Sequence, residues 1–297
     1  MTDAQNTLAI RTLRGGRVAS HSRLRRVIAD KHTLTGLCFL LIVLFVVAFG
    51  PVLAPYTSTD YVGLPYALPS AGSPLGTDSM GQDVLSRVLR GGFTVVWMSL
   101  GAATIGMVLG VVLGTIAGLK RGWIDEVIMR LADVTMAMPA LVLTLLFISL
   151  LGKSLLLIVA LVGLAHAPSV ARIVRGVTAD VAEREYVESA IALGASSLKT
   201  AVTEIIPNIT GTIMVEYGLR IVWSVIAIAG LSVLGQGVSA PQADWGLMIN
   251  ENRGGLALQP WAVVAPLLFI SMYALAANLI AEGIGRTLHI GAKGKVA

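Results

Sequence analysis

Charged residues are scarce in this sequence of 297 residues. Asp, Glu, Lys and Arg make up 13% of the chain, whereas about 25% is typical of soluble proteins, and the mean hydropathy is +0.80. So few charges cannot cover the surface of a soluble protein of this size, and apolar residues, at 55%, exceed what its cores could bury. This excludes a soluble enzyme, a nucleic-acid-binding protein and a disordered protein. A lipid bilayer must surround much of the chain.

Cysteine and recognisable metal or nucleotide motifs are also lacking. The single Cys38 lies in an apolar run, so no internal disulfide can form and the compartment cannot be inferred from it. The four histidines, His21, His32, His166 and His289, show no spacing typical of a metal site. The chain contains no G-x-x-x-x-G-K-[ST] phosphate-binding loop, so it cannot hydrolyse ATP by that device. We expect no metal and no cofactor on this chain.

Long uncharged apolar runs are what the sequence does contain. A helix of roughly 20 apolar residues crosses a hydrocarbon core about 30 Å thick. Six candidate spans cover residues 34–54, 91–119, 134–152, 154–171, 207–234 and 260–281. The first is too long for a signal peptide, follows a long basic leader and precedes no clear cleavage site, so we interpret it as a retained anchor. These runs predict an all-α polytopic membrane protein with six transmembrane helices.

The distribution of basic residues predicts the orientation. Six spans place both termini on one side, and with that side cytoplasmic, 17 of the 22 Lys and Arg residues lie in cytoplasmic segments. The positive-inside rule therefore favours cytoplasmic termini. The predicted organisation is a basic cytoplasmic segment at 1–33, a first transmembrane helix at 34–54, an external segment at 55–93, a transmembrane core at 94–284 and a cytoplasmic tail at 285–297.

Two segments between the spans have helical patterns. The external segment ends in a short amphipathic helix predicted at 83–90. The longest inner segment, 172–207, favours one helix before Gly194, a turn at that glycine, and a second helix that starts near Ser196 and ends near Pro207. Both inner helices keep an apolar face. A solvated loop is the alternative, but the apolar faces favour a helix pair that docks on another protein.

Within the second span, a glycine recurs at every fourth position. These glycines are Gly106, Gly110, Gly114 and Gly118. At the helical period they form one smooth ridge on which a neighbouring helix can lie close, and close approach drives helix association in lipid. We interpret the ridge as a helix-packing surface. A glycine-lined pore wall is the alternative.

Two ionisable residues, Glu216 and Arg220, interrupt the fifth span. Such groups are costly in hydrocarbon and usually face the bundle interior or water. Their i, i+4 spacing puts them on one helix face, where they can pair. We favour a structural ion pair. A position beside a translocation path and simple exposure near the inner surface are the alternatives.

The inner segment resembles a loop found in the membrane subunits of binding-protein-dependent ABC importers. In that family the pattern is E-A-A-x₃-G-x₉-I-x-L-P, and Glu188, Ala190, Gly194 and Pro207 stand at matching positions. Ser189 replaces the first alanine of the pattern. Glu204 and Ile206 replace its isoleucine and leucine.

Two further segments resemble one of the two permeases of dipeptide and oligopeptide importers. The first, LGTDSMGQDVLSRVLRGG at 75–92, is similar to an L-G-T-D-x-x-G-x-D-x-x-S-R segment. Its matching residues include Gly76, Thr77, Asp78, Gly81 and Asp83. The second begins AGLSVLGQGVSAPQADWGLMINENRG, near the end of the chain. Together the matches extend over about nine-tenths of the sequence.

This resemblance implies a type I ABC importer permease fold with a coupling loop at about 180–207. It places Glu188, Ser189, Ala190, Gly194 and Pro207 in that loop, where a cytosolic ATPase would dock, and it gives the external motif a structural role. The implied partners are a second homologous permease, two ATPases that bind ATP and Mg, an external substrate-binding protein and the bilayer of a bacterial inner membrane, with no nucleic acid.

The resemblance implies a non-enzymatic permease subunit that takes up dipeptides or oligopeptides. Nickel, opines or another small solute are the alternatives within the same class of transporter. A stand-alone channel or secondary transporter is the alternative from another class. The inner helix pair, and the absence of detectable inverted repeats or a run of buried carboxylates, favour the importer.

Overall fold

The computed structural model describes residues 30–293, with side chains described as far as Arg286. Its dominant elements are five long helices: α1 (Lys31–Leu53), α3 (Gly92–Lys120), α6 (Leu155–Ala182), α9 (Ile206–Val233) and α11 (Trp261–Lys293). Each belongs to a stretch that is long and apolar enough to cross a membrane. The prediction of an all-α polytopic membrane protein is confirmed. Most of the basic segment predicted at 1–33, and residues 294–297 of the predicted tail, lie outside the described residues.

The third predicted span, at 134–152, does not form one straight helix. Helices α4 (Gly122–Met136) and α5 (Ala140–Leu151) meet at a bend of 82°. The prediction of one continuous helix at 134–152 is therefore wrong. Pro139, with φ −61° and ψ 117°, caps α5, and a proline disfavours helical geometry in the residue before it. The 12 residues of α5 extend about 18 Å, too short for the hydrocarbon core, so only the pair together can span it.

The remaining helices are short. They are α2 (Val84–Arg90), α7 (Glu185–Ala192), α8 (Ser197–Thr200) and α10 (Trp245–Asn252). The short helix predicted at 83–90 is present, with Asp83 as its N-cap. The described residues contain no β-strand beyond three isolated bridges, all within 61–83.

Packing places the helices in one bundle with two different ends. Helix α3 packs along α6, α11 packs along α1, and α9 contacts both α3 and α11. One end carries the long segments 54–83 and 234–260, and we call it the loop end. The opposite end carries α7 and the turn at Gly194. At this end, ion pairs join α4 to α6, and another joins Arg121 to the residue that follows α6. These pairs are Arg121–Glu183 at 2.7 Å, Arg175–Asp125 and Arg172–Asp133, and most of their side chains are exposed.

Candidate functional site

The inner segment forms a bent helix pair at the opposite end. Helix α7 contains Glu188, Ser189 and Ala190, and the chain then turns at Gly194, whose φ of +85° lies in the left-handed region. Glycine adopts that conformation without the steric cost that a Cβ atom brings. The hydroxyl of Ser196 accepts a hydrogen bond from the Lys199 amide at 3.3 Å and so caps α8. The sequence prediction of a helix, a glycine turn and a capped second helix agrees with this geometry.

The second helix of this pair does not end at Pro207, as predicted, but continues into α9. A π-helical turn, Ala201–Ile205, joins α8 to α9, and Ser197–Val233 form a continuous stretch of 37 residues. The Ile206 amide donates to the Ala201 carbonyl, an i to i−5 bond that widens the helix just before the proline. Because Pro207 stands in the first turn of α9, its missing N–H and its ring are accommodated there.

The helix pair exposes apolar side chains. Leu193 at the turn is 89% exposed and Leu198 is 76% exposed. Ile191 and Val202 are also more than half exposed, whereas Val187 is buried against the bundle. An apolar surface at the tip of a charged segment is typical of an interaction site. We call these four exposed side chains, Ile191, Leu193, Leu198 and Val202, the docking patch.

The four glycines of α3 lie directly against the backbone of α6. A Cβ atom on Gly106, Gly110, Gly114 or Gly118 would stand 2.8, 3.0, 2.5 or 2.9 Å from the carbonyl oxygens of Gly163, Ala167, Ala171 and Arg175, respectively. Both sets repeat every four residues, so the two helices remain in register over about three turns. No side chain fits between them. The structure therefore gives the ridge a partner helix within the same chain.

Glu216 and Arg220 form an ion pair in the middle of α9. The Arg220 Nη2 lies 3.0 Å from the Glu216 Oε2, and both side chains are nearly buried. Arg220 Nη1 lies 3.5 Å from the Ser169 hydroxyl of α6, at the outer limit of a hydrogen bond. One turn away, His166 and Ser224 are 3.0 Å apart. This polar group joins α6 to α9 inside an otherwise apolar bundle.

At the loop end, the motif residues organise the backbone of segment 54–83. These residues are Gly76, Thr77, Asp78, Gly81 and Asp83. The two glycines have φ of +73° and +75°, so both turns need the left-handed conformation that glycine allows. Thr77 donates to the Leu64 carbonyl at 2.6 Å, and Asp78 accepts from the amides of Met80 and Gln82. Asp83 accepts from the Ser86 amide at 2.8 Å and so caps α2.

A buried arginine connects this motif to the second long segment. Arg87 pairs with Asp78 and, at 2.8 Å, with Glu251 of α10. Glu251 lies in the second segment that carries the resemblance, but sequence reasoning did not pair it with Arg87, which is 164 positions away. Glu251 lies inside α10, and its closeness to Arg87 shows only in three dimensions.

Four more hydrogen bonds join the second long segment to segment 54–83 and to α2. The Ser79 amide donates to Asn252 at 2.8 Å, and the Gln259 amide group donates to the carbonyls of Ala67 and Leu75, each at 3.0 Å. The buried Trp245 indole donates to the Val88 carbonyl at 2.8 Å. These hydrogen bonds and ion pairs tie the external motif to the segment 234–260.

Comparison with known proteins bears on this architecture. Residues 110–289 match the family described as the binding-protein-dependent transport system inner membrane component, which is more than half of the chain. The chain belongs to this family. Its helix α1 lies within a second match, residues 21–68, to the N-terminal transmembrane domain of oligopeptide transport permease C. As a family member, the chain is a multi-pass permease component of a transport system in the inner membrane.

Relatives resemble the chain over most of its length. It is 33% identical over 248 residues to the glutathione transport system permease protein GsiD of Pectobacterium atrosepticum, covering 83% of this chain and 82% of the relative. It is also 33% identical over 280 residues to the proteins of that name from Escherichia coli and Shigella boydii, covering 92% of this chain and 91% of each relative. The matched region includes the glycine ridge, the docking patch and the Glu216–Arg220 pair.

Proposed function

We propose that this chain is one of two permeases of an ATP-driven importer that takes up short peptides. Family membership supports the transport role, and the similarity to glutathione permeases and to an oligopeptide permease domain supports a peptide cargo, since glutathione is a tripeptide. A second, homologous permease would complete the path. The dipeptide and oligopeptide range fits these observations better than nickel or opines.

The docking patch is the observation that carries the energy-coupling part of this proposal. Its side chains are apolar and exposed, and they surround a glycine-bent turn at the end of Ser197–Val233, one of the two longest helical stretches. A partner that covers this patch would move α9 directly, because α8 and α9 are continuous. Two cytosolic ATPases, binding ATP and Mg, are the partners that this arrangement suits.

The charge distribution orients the proposed complex. With the opposite end in the cytoplasm, 17 of the 22 Lys and Arg residues lie on the cytoplasmic side, as do both termini. The loop end then faces outward, where an external substrate-binding protein would deliver the peptide. Its compact, hydrogen-bonded segments offer a firm surface for such a partner.

Purification from the native membrane tests the proposal. We expect tagged chain to copurify with a second permease and two ATPases, identified by mass spectrometry. In proteoliposomes, the complex with its binding protein should take up labelled di-, tri- and tetrapeptides only when ATP is present. Uptake of nickel or an opine without any peptide uptake would contradict the peptide cargo. Uptake without ATPases would contradict the importer class.

A further inference from the structure

A cavity of about 580 Å³ lies against the broken span. Its walls come from α4, α5 and α6, and Arg220 of α9 closes one side. Among the described residues that line it, Arg220 is the only charged one, and most others are apolar, such as Leu143, Phe147 and Leu164. Helix packing alone does not require a charged side chain such as Arg220 to line an apolar cavity.

Arg220 lies halfway along α9, which belongs to a stretch long and apolar enough to cross a membrane. It is the fifteenth of the 28 residues of α9, which places it about 20 Å from either end of that helix. A charge at this depth is costly and is retained mainly where it has a task, such as binding a transported solute. Secondary transporters commonly place substrate-binding groups near the bilayer midplane, at discontinuous helices.

The Arg220 guanidinium has N–H donors that make no close hydrogen bond. Arginine carries five N–H donors, and Arg220 directs one nitrogen to Glu216 at 3.0 Å. Its contact to Ser169 is long, at 3.5 Å, and its Nε has no hydrogen-bond partner among the described residues. A carboxylate, which binds a guanidinium through two parallel hydrogen bonds, would use this capacity.

We propose that Arg220 binds a carboxylate of the cargo as it passes this cavity, and that Glu216 holds the guanidinium in position while the cavity is empty. The inference rests on the peptide-import function proposed above, because every peptide with a free C-terminus supplies a carboxylate. The structural ion pair favoured by the sequence is thus the resting arrangement of a binding group. Ser169, at the cavity wall, marks where the ligand oxygen would lie.

The test measures, in the reconstituted complex, uptake of a peptide with a free C-terminal carboxylate and uptake of the same peptide with a C-terminal amide. Arg220→Gln should lower uptake of the free acid at least tenfold more than uptake of the amide, relative to the parent complex. The same binding protein serves both complexes, so its own preference cancels in this ratio. Arg220→Lys keeps the charge but loses the two-bond geometry, and its ratio should be intermediate.

A matched control is present in α11. Glu282 and Arg286 form an ion pair with the same i, i+4 spacing at 2.6 Å, but both side chains are nearly half exposed. Arg286→Gln should change uptake of neither peptide. An equal loss of acid and amide uptake in Arg220→Gln would overturn the inference and leave peptide import standing. Failure of the parent complex to take up any peptide would instead overturn the proposed function, and this inference with it.

Cysteine labelling supplies a readout that does not depend on uptake. In a Cys38→Ser background, Ser169→Cys should react with a water-soluble maleimide in the purified complex, and the free-acid peptide should slow the reaction more than its amide. Ser99→Cys, at a fully buried position, is the unreactive control. If Ser169→Cys fails to react, the cavity is closed to water in the complex and the inference is wrong. Equal protection by acid and amide would also overturn it.

Discussion

Replacing Gly110 by alanine perturbs the contact between α3 and α6 by a single methyl group. The new Cβ would lie 3.0 Å from the Ala167 carbonyl oxygen and 2.5 Å from Val170 Cγ1. Ordinary contacts of a Cβ begin at 3.4 Å, so the helices must separate by roughly 1 Å or Val170 must leave its position. Neither change is local, because the ridge and the α6 carbonyls share one register.

The expected magnitude combines two opposing effects. Overpacking a close contact costs about 1–3 kcal/mol, and a gap of about 0.5–1 Å along the remaining interface forfeits a quarter to a half of its dispersion energy. Alanine returns about 0.5–1 kcal/mol through its higher helix propensity. We therefore expect a net loss of about 1–2 kcal/mol. Gly110→Leu, with a far larger side chain, should prevent the bundle from assembling.

Thermal unfolding of the purified complex in detergent measures this loss. A net cost of that size corresponds to a decrease of about 2–8 °C in the midpoint temperature. Gly230→Ala is the control, because no atom lies within 4 Å of the Cβ it would add in α9, and its midpoint should be unchanged or slightly higher. Equal midpoints for Gly110→Ala and Gly230→Ala would refute the close-packing argument.

Three further predictions concern the two ends of the bundle. Gly194→Val should leave the yield normal, since no atom lies within 4 Å of the added Cβ, yet it should lower ATP-driven uptake at least tenfold. Gly194→Asn should retain more uptake, because asparagine tolerates positive φ. Equal uptake by the two variants would contradict the role of the turn. Arg87→Gln leaves the carboxylates of Asp78 and Glu251 without their cation and should cost about 3–5 kcal/mol in thermal unfolding, whereas a loss below about 1 kcal/mol would contradict a buried pair. Burial raises the pKa of Asp244 above 3.8, so the folded state holds this proton more tightly and its contribution to stability falls as pH rises through the raised pKa. Asp244→Asn should therefore gain stability relative to the parent as pH rises from 4 to 8, and a constant difference would contradict the raised pKa.

Hydropathy predicted the membrane helices because their cause is local. A charge-free run of 20 residues in lipid must satisfy its backbone hydrogen bonds within the protein, and a helix does so within the run itself. The broken span was missed for the same reason: 134–152 is free of charge, and counting charges does not register a bend at Pro139. At Pro207, the helix-ending tendency of proline was overcome by a π-helical turn, which shifts the hydrogen bonds before the ring.

Functional residues could be predicted when their partners lie close to them in the sequence. The glycine ridge repeats at the helical period and the Glu216–Arg220 pair lies within one turn, so both could be recognised locally. Arg87 and Glu251 are 164 positions apart, and the cavity beside Arg220 collects residues from four helices. No periodicity encodes such meetings, which depend on how the whole bundle packs.

The loop end also determines where this bundle can move. There, buried ion pairs and hydrogen bonds tie segments 54–83 and 234–260 together, and Lys153 beside α6 donates to the Gly235 carbonyl at 3.1 Å. At the opposite end, mostly exposed ion pairs hold the helices, and such pairs are cheap to exchange. Helices that are fixed at the loop end and loosely held at the other end can tilt about the loop end. A tilt of about 10° about the loop end would displace the far end of a helix about 40 Å long by roughly 7 Å.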